Sequence, residues 1–397
     1  MESTIRVPKI SIGKRQIDVF PIWIALLVVG LFIGGVGAYQ VLTRGLIVTG
    51  LSNDVPWALW IIIDLSSIAL GGGAFTMGVV VFWLRLKQFE IIGKLAVIIG
   101  FLGYSAAGLI LLFDLGQPFR FWHPVVFWQP HSVLWEITMC VVLYLTVLGL
   151  ELIPTVFEHD LFNQFPILVK IGHFVHKFSP ALALVGLTLS LLHQASLGAT
   201  YGVLSGRGLW FSPSAPVMFV LSAVGGGTAL LFLLSVIVFR VMRPGLVTDR
   251  ALYLTARISG IFLLLYLYLK IWDWAVTNYY NFDIEIATQL DLLNKIAPYD
   301  AAFWIGEVLI GALIPGVILF LGTRIKNFRV LMLAAVMAVI GVVILRWNYN
   351  FSGLIANVSY VPFETIINLA TYKPTWQEYA LATGVISYWS LGFSVAA

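Results

Sequence analysis

The chain has 397 residues, 60% of them hydrophobic and only 11% charged, with a formal net charge of +4. Its mean hydropathy of +0.96 excludes a soluble domain, because so apolar a surface would aggregate in water. The single Cys140 excludes a disulfide framework, a cysteine-ligated zinc and an iron–sulfur cluster within this chain, and no nucleic-acid partner is expected.

A hydrocarbon core about 30 Å thick is crossed by about 20 apolar residues of helix. Ten stretches qualify, roughly 19–42, 57–84, 92–113, 131–153, 176–193, 215–240, 254–275, 301–322, 329–346 and 376–395. The basic N-terminus, MESTIRVPKISIGKRQIDVF, runs into a long apolar stretch without a small-residue cleavage site, so it reads as leading into a first helix and not as a signal peptide. No remaining segment is long enough for a separate soluble domain. Residues 1–397 are therefore expected to form one integral membrane domain, an all-α polytopic bundle.

With ten spans the connectors alternate between two sides. Sixteen of the 23 Lys and Arg residues fall on the N-terminal side, six fall on the other, and Lys270 alone lies inside a span. The positive-inside rule then predicts that both termini are cytoplasmic. The opposite connectors, 43–56, 114–130, 194–214, 276–300 and 347–375, are longer and rich in aromatics, Pro and Gly. An interfacial belt accounts for Trp122, Trp128, Trp210 and Tyr279, and a docking surface for an extramembrane partner is the sharper alternative. The triplets Gly71–Gly73 and Gly225–Gly227, in spans two and six, are expected to let helices approach closely, since packing replaces the hydrophobic drive in lipid. No internal repeat stands out that would favour an inverted-repeat transporter.

An ionisable group at the centre of a span costs about 2.5–3.5 kcal/mol on insertion scales, so each one invites a functional reading. In chain order they are Asp64, Asp114, Glu136, His193, Lys270, Asp273, Glu307 and Arg346. Asp64 lies about 10 Å below the outer face at 1.5 Å per helical residue. Asp114, His131, Glu136, His193 and Gln194 end or begin neighbouring spans on that same side, so they share its level. Lys270 and Asp273 lie on one helical face and are expected to neutralise each other. Glu307 opens span eight, and Arg346, near Asn348 and Asn350, is expected to brace buried acids.

Such an outer-level cluster suits two-electron, two-proton quinone chemistry. A quinone headgroup needs hydrogen-bond partners at two oxygens, a group that titrates near neutrality and an apolar cleft for its tail. Histidine supplies the first two, a desolvated aspartate extends the titrating range, and aromatic and small residues line a cleft. A haem held by two span histidines is disfavoured, because only His131 and His193 end spans at one level while His173 and His176 sit on the opposite connector. Nucleotide loops, nucleophile elbows and zinc motifs are absent.

Four passages resemble the polysulfide-reductase, NrfD-type, family of quinone-reactive membrane subunits. They are VPWALWIIIDLSSIALGGGAF at 55–75; GYSAAGLILLFDLGQPFRFW at 103–122 with HSVLWEITMC at 131–140; LLHQASLGATY at 191–201; and LRWNYN at 345–350 with YKPTWQEYA at 372–380. The likeness extends over nearly the whole chain and is strongest to the ten-helix branch that includes the hydrogenase-2 membrane subunit and the membrane subunit of dissimilatory sulfite-reduction complexes. The resemblance implies a multi-pass subunit of a prokaryotic cytoplasmic membrane that binds menaquinone near the outer face and has neither haem nor iron–sulfur cluster of its own. Electrons would pass to or from a ferredoxin-like iron–sulfur subunit on the extracytoplasmic face, with further catalytic or cytochrome subunits and with coupled proton translocation an open possibility.

The family's polar positions are matched by Asp64, Asp114, Glu136, His193 and Arg346. On this reading His193 and Asp114 hydrogen-bond the quinone and exchange protons, with Gln194, Tyr104 and Arg120 in support. Asp64, Glu136, Asp273, Lys270, Glu307 and Arg346 are proton-path or ion-pair candidates. The rival readings are a secondary transporter or ion channel, with Asp64, Lys270, Asp273 and Glu307 lining the path, and a passive membrane anchor.

Overall fold

A computed structural model describes residues 9–12, 15–157, 162, 164–280, 283–362 and 364–396. Arg6 and Lys14, both counted in the charge asymmetry, lie outside these residues. Apolar runs form helices here, because in lipid a backbone must satisfy its own hydrogen bonds. Among the described residues nine helices are long and apolar enough to cross a membrane: α1 (Val19–Arg44), α2 (Leu59–Val81), α3 (Lys87–Asp114), α4 (Val133–Phe157), α6 (Ser179–Gly202), α7 (Ala215–Met242), α8 (Asp249–Tyr279), α10 (Ala301–Phe320) and α11 (Phe328–Ser352). Two shorter helices, α5 (Pro166–His176) and α9 (Ile284–Lys295), lie between them in the chain. The tenth expected stretch is also helical: α12 (Trp376–Ala396) has 21 residues, about 31 Å at 1.5 Å each. Its apolar stretch is weaker than those of the other nine, and it carries Gln377, Glu378, Thr383 and Ser387.

The longer connectors hold more order than loops. Besides α9, an antiparallel hairpin pairs β3 (Ala356–Val361) with β4 (Glu364–Leu369), Ala356 opposite Leu369. The β-branched runs there favour strand over helix. At the N-terminus β1 (Lys9–Ile12) pairs with β2 (Arg15–Asp18), and α1 begins directly afterwards. Side chains cap the starts of several long helices; Thr248 accepts from the Ala251 N–H, and Asn327 from those of Arg329 and Val330.

The spans sort into two sets. One is α2, α3, α4 and α6; the other is α7, α8, α10 and α11; α1 and α12 pair with each other and lean on α3. The two sets meet where α6 packs on α7, where α2 meets α11, and where α2 crosses α7 at the two glycine triplets. A Cβ on Gly73 would stand 2.8 Å from the Gly227 carbonyl oxygen, so backbone lies directly on backbone. Close packing of this kind is what the triplets are expected to allow. Gly34 and Gly384 do the same for α1 and α12.

Candidate functional site

The first set of helices builds a buried polar cluster. His193, on α6, is fully buried, and neither ring nitrogen has a hydrogen-bond partner among the described residues. Its ring faces that of Tyr104 on α3, with centroids 5.4 Å apart. The Tyr104 hydroxyl shares a hydrogen bond with Ser190 Oγ at 3.3 Å, and its ring meets Tyr144 of α4 edge-on at 4.5 Å. Gln194 donates from Nε2 to the Ile68 carbonyl at 3.0 Å, which leaves Oε1 without a partner. One turn before Ile68 on α2, Asp64 is 3% exposed and its Oδ1 is likewise unpartnered.

Asp114 closes α3 at the rim, half-buried and near enough for its charge to act on Asp64. Glu136 accepts a hydrogen bond from Ser196 Oγ at 2.8 Å, which ties α4 to α6. The structure thus brings Asp64, Tyr104, His193 and Gln194 together, with Asp114 and Glu136 near the same end. It leaves Arg120 and His131 on the exposed connector.

The second set carries its own cluster, and here two expectations need correction. Lys270 does not neutralise Asp273. Its Nζ reaches across to Glu307 Oε1 at 3.1 Å. Glu307 is 1% exposed and also accepts from the Tyr266 hydroxyl at 2.7 Å and from Asn348 Nδ2 at 2.9 Å. Asp273 Oδ1 accepts instead from the hydroxyls of Ser212 and Ser214, both at 2.6 Å. The physical reason is that tertiary donors and acceptors face these groups more directly than the i,i+3 neighbour does. Lys270, Asp273, Glu307, Asn348 and Tyr349 border a small cavity of about 50 Å³.

Arg346 braces no acid among the described residues. Its Nη2 donates to the Phe219 carbonyl and to Ser222 Oγ, both at 3.2 Å, and its guanidinium lies 3.7 Å over the Phe219 ring. Stacking on an aromatic face and bonding to a carbonyl spread the cation without a carboxylate. Its Nε and Nη1, fully buried, remain without partners. Between the clusters, Tyr201 donates to Asn350 Oδ1 at 3.0 Å and feels the charges of both Asp64 and Arg346. Trp57 stacks on Trp210 at 5.6 Å, and Trp210 Nε1 donates to the Tyr349 carbonyl at 2.8 Å, closing an aromatic seam.

Several of these residues escape the sequence reading. Tyr144, Ser190, Tyr201 and Tyr266 look like ordinary apolar-span residues, and no spacing marks them. Glu378 is different, because Thr375 and Glu378 have the T-x-x-E spacing of a capping box. In the structure Glu378 accepts from the Thr375 N–H and the Gly50 N–H, each at 2.8 Å, and from the Tyr372 hydroxyl at 2.6 Å. Burial, reinforced by that bond to Glu378, holds the Tyr372 hydroxyl above its ordinary pKa.

The molecule so defined is an integral, multi-pass membrane protein with unsatisfied polar groups buried between its helices. Comparison with known proteins gives it a family: residues 47–356 match the polysulphide reductase NrfD family, and the chain belongs to it. It is 33% identical over 389 residues to the menaquinone reductase integral membrane subunit of Nitratidesulfovibrio vulgaris, covering 96% of this chain and 92% of that one. It is 28% identical to a selenate reductase subunit of Mesobacillus selenatarsenatis, covering 91% and 90%. The probable Ni/Fe-hydrogenase 2 b-type cytochrome subunit of Escherichia coli is also 28% identical, covering 86% and 81%.

Proposed function

We propose that this chain is the quinone-reactive membrane subunit of a respiratory oxidoreductase, exchanging electrons between the menaquinone pool and an iron–sulfur subunit on the extracytoplasmic face, with proton exchange at the site. The observation that carries the reading is the set of orphaned atoms in the first cluster: both ring nitrogens of His193, Oδ1 of Asp64 and Oε1 of Gln194. A buried polar atom left unpaired costs about 1–3 kcal/mol. Four such atoms, three on one turn of α6 and one on α2, are tolerated where a polar ligand completes them, and donors and acceptors in this mixture fit a ligand with two carbonyl or hydroxyl oxygens.

When bound, a quinone supplies the two-electron, two-proton carrier. The chain's residues do the rest. His193 holds an oxygen through one ring nitrogen, and its ring is kept in place by Tyr104, itself fixed by Ser190 and Tyr144. Gln194, anchored through Nε2 on Ile68, leaves its oxygen free to accept from a ligand hydroxyl. Asp114, half-buried at the rim, passes a proton between the cluster and the outer side. Asp64 takes up the same proton deeper in the bundle. The names of the menaquinone reductase and selenate reductase relatives support the quinone and the oxidoreductase. The excess of Lys and Arg on the N-terminal side supports an outer location for the site and cytoplasmic termini.

The test is extraction under mild detergent, with partners identified and lipid-soluble cofactors analysed. An iron–sulfur protein and menaquinone are expected to accompany the chain. Recovery of this chain alone, free of quinone, overturns the proposal. Solute transport by that isolated chain would favour the transporter reading instead.

A further inference from the structure

At the end of the bundle that carries Arg85, Lys87 and Lys94, remote from His193, the helices α2, α3, α4 and the junction of α5 with α6 enclose a second cavity of about 290 Å³. Its wall is apolar, formed by residues such as Met77, Val97 and Pro154. Five ionisable side chains border it: Lys87, Glu90, Lys94, Glu151 and His176. His176 is already engaged, whereas Lys87, Glu90, Lys94 and Glu151 make no side-chain hydrogen bond or ion pair with another described residue.

Glu151 is the telling member. It lies inside α4, six residues before the helix ends at Phe157, about 9 Å along the axis. An acid in a span is retained only against a partner, since leaving it alone costs a few kcal/mol. Among the described residues no cation pairs with it. Lys87 and Lys94 with Glu90 and Glu151, unpaired around one cavity, match a ligand that carries both signs.

The mouth of the cavity lies among elements suited to the membrane interface. Helix α5, packed on α4, exposes Ile167 (72%), Ile171, Phe174 (61%) and the adjoining Phe178 along one stripe, flanked by Lys170, His173 and Lys177. Such a face lies at the boundary between acyl chains and headgroups. The turn between α2 and α3 likewise exposes Trp83, Leu84 and Leu86 beside Arg85 and Lys87.

We infer that this cavity binds the headgroup of an aminophospholipid, its phosphate between Lys87 and Lys94 and its primary ammonium on Glu151. A primary ammonium offers three N–H donors to a carboxylate, as a lysine does. A choline headgroup has none, and an anionic headgroup leaves Glu151 facing negative charge. The site is independent of the quinone reading and uses none of its residues.

The experiment reconstitutes the full chain, in its complex, into nanodiscs of phosphatidylethanolamine, phosphatidylcholine or phosphatidylglycerol, and counts lipid retained through detergent exchange by native mass spectrometry. Phosphatidylethanolamine is expected to be retained about tenfold better than either of the others, the ratio that one hydrogen-bonded ion pair of about 1.4 kcal/mol gives. Glu151→Gln is expected to abolish the preference for ethanolamine over choline, whereas Lys94→Gln lowers retention of both. Equal retention of ethanolamine and choline lipids by the unaltered protein overturns the assignment, as does a preference for phosphatidylglycerol. So does an ethanolamine preference that survives in Glu151→Gln. Should that variant fail to fold, the three-lipid comparison on the unaltered protein still decides.

Discussion

Lys270 and Glu307 form a buried ion pair between α8 and α10, Nζ to Oε1 at 3.1 Å, and Tyr266 and Asn348 fill the remaining capacity of the carboxylate. Removing one partner of such a pair strands the other charge, at a cost of about 3–5 kcal/mol. Glu307→Gln is therefore expected to lower the thermal midpoint in detergent sharply, and Lys270→Met with Glu307→Gln to recover most of the loss. A double variant no more stable than the single one would show that the two side chains do not act as a pair.

His193 gives the opposite pattern. Because its ring nitrogens are buried without partners, His193→Leu removes two unsatisfied polar atoms and keeps an apolar filling. The variant is expected to be at least as thermally stable as the parent while losing quinone turnover by a factor of about 100 or more, the scale of a removed acid–base group. Turnover within a few-fold of the parent would remove His193 from the site.

Asp114 is expected to separate assembly from turnover. Asp114→Asn keeps the shape of the side chain and removes its exchangeable charge at the rim of the cluster. Quinone reduction should disappear while the complex still copurifies. Unchanged turnover in that variant contradicts the proton role.

The crossing of α2 and α7 predicts a packing effect. A Cβ at Gly73 meets the backbone of Gly227, which cannot rotate away, so Gly73→Val forces the helices apart. Overpacking of this kind costs about 1–3 kcal/mol. Gly35, where a Cβ has open space, is the control, and Gly35→Ala should leave the melting curve unchanged.

Glu378 should behave as a structural clamp. It holds the start of α12 through Thr375 and fastens Gly50 and Tyr372. Glu378→Ala is expected to cost more than the roughly 1 kcal/mol of an ordinary cap, and Tyr372→Phe less than Glu378→Ala. Proteolysis between α11 and α12 reads the difference directly; equal resistance in both variants would argue that the clamp is dispensable.

The spans are legible in the sequence because lipid imposes one length and one polarity on any helix that crosses it, and the glycine triplets because close approach in lipid needs small residues. The buried acids and His193 stand out for the same reason, as polar letters in apolar text. Their partners do not. Whether Lys270 turns to Asp273 or to Glu307 depends on the rotation of α8 against α10, which the spacing within one helix does not encode. Arg346 finds a carbonyl and an aromatic face, where sequence offers only a tally of nearby acids. The tyrosines around His193 carry no local signal, since a tyrosine in a span is as often packing as function. The hairpin of β3 and β4 lies in the connector 347–375, where the sequence reading names no strand although the β-branched runs favour one.

The backbone contact between Gly73 and Gly227 has a mechanical consequence. With no side chain at the crossing, there is no rotamer to flip and no lever to swing, so the two four-helix sets behave there as a welded joint. The two sets then cannot slide past each other at that point without parting backbone from backbone.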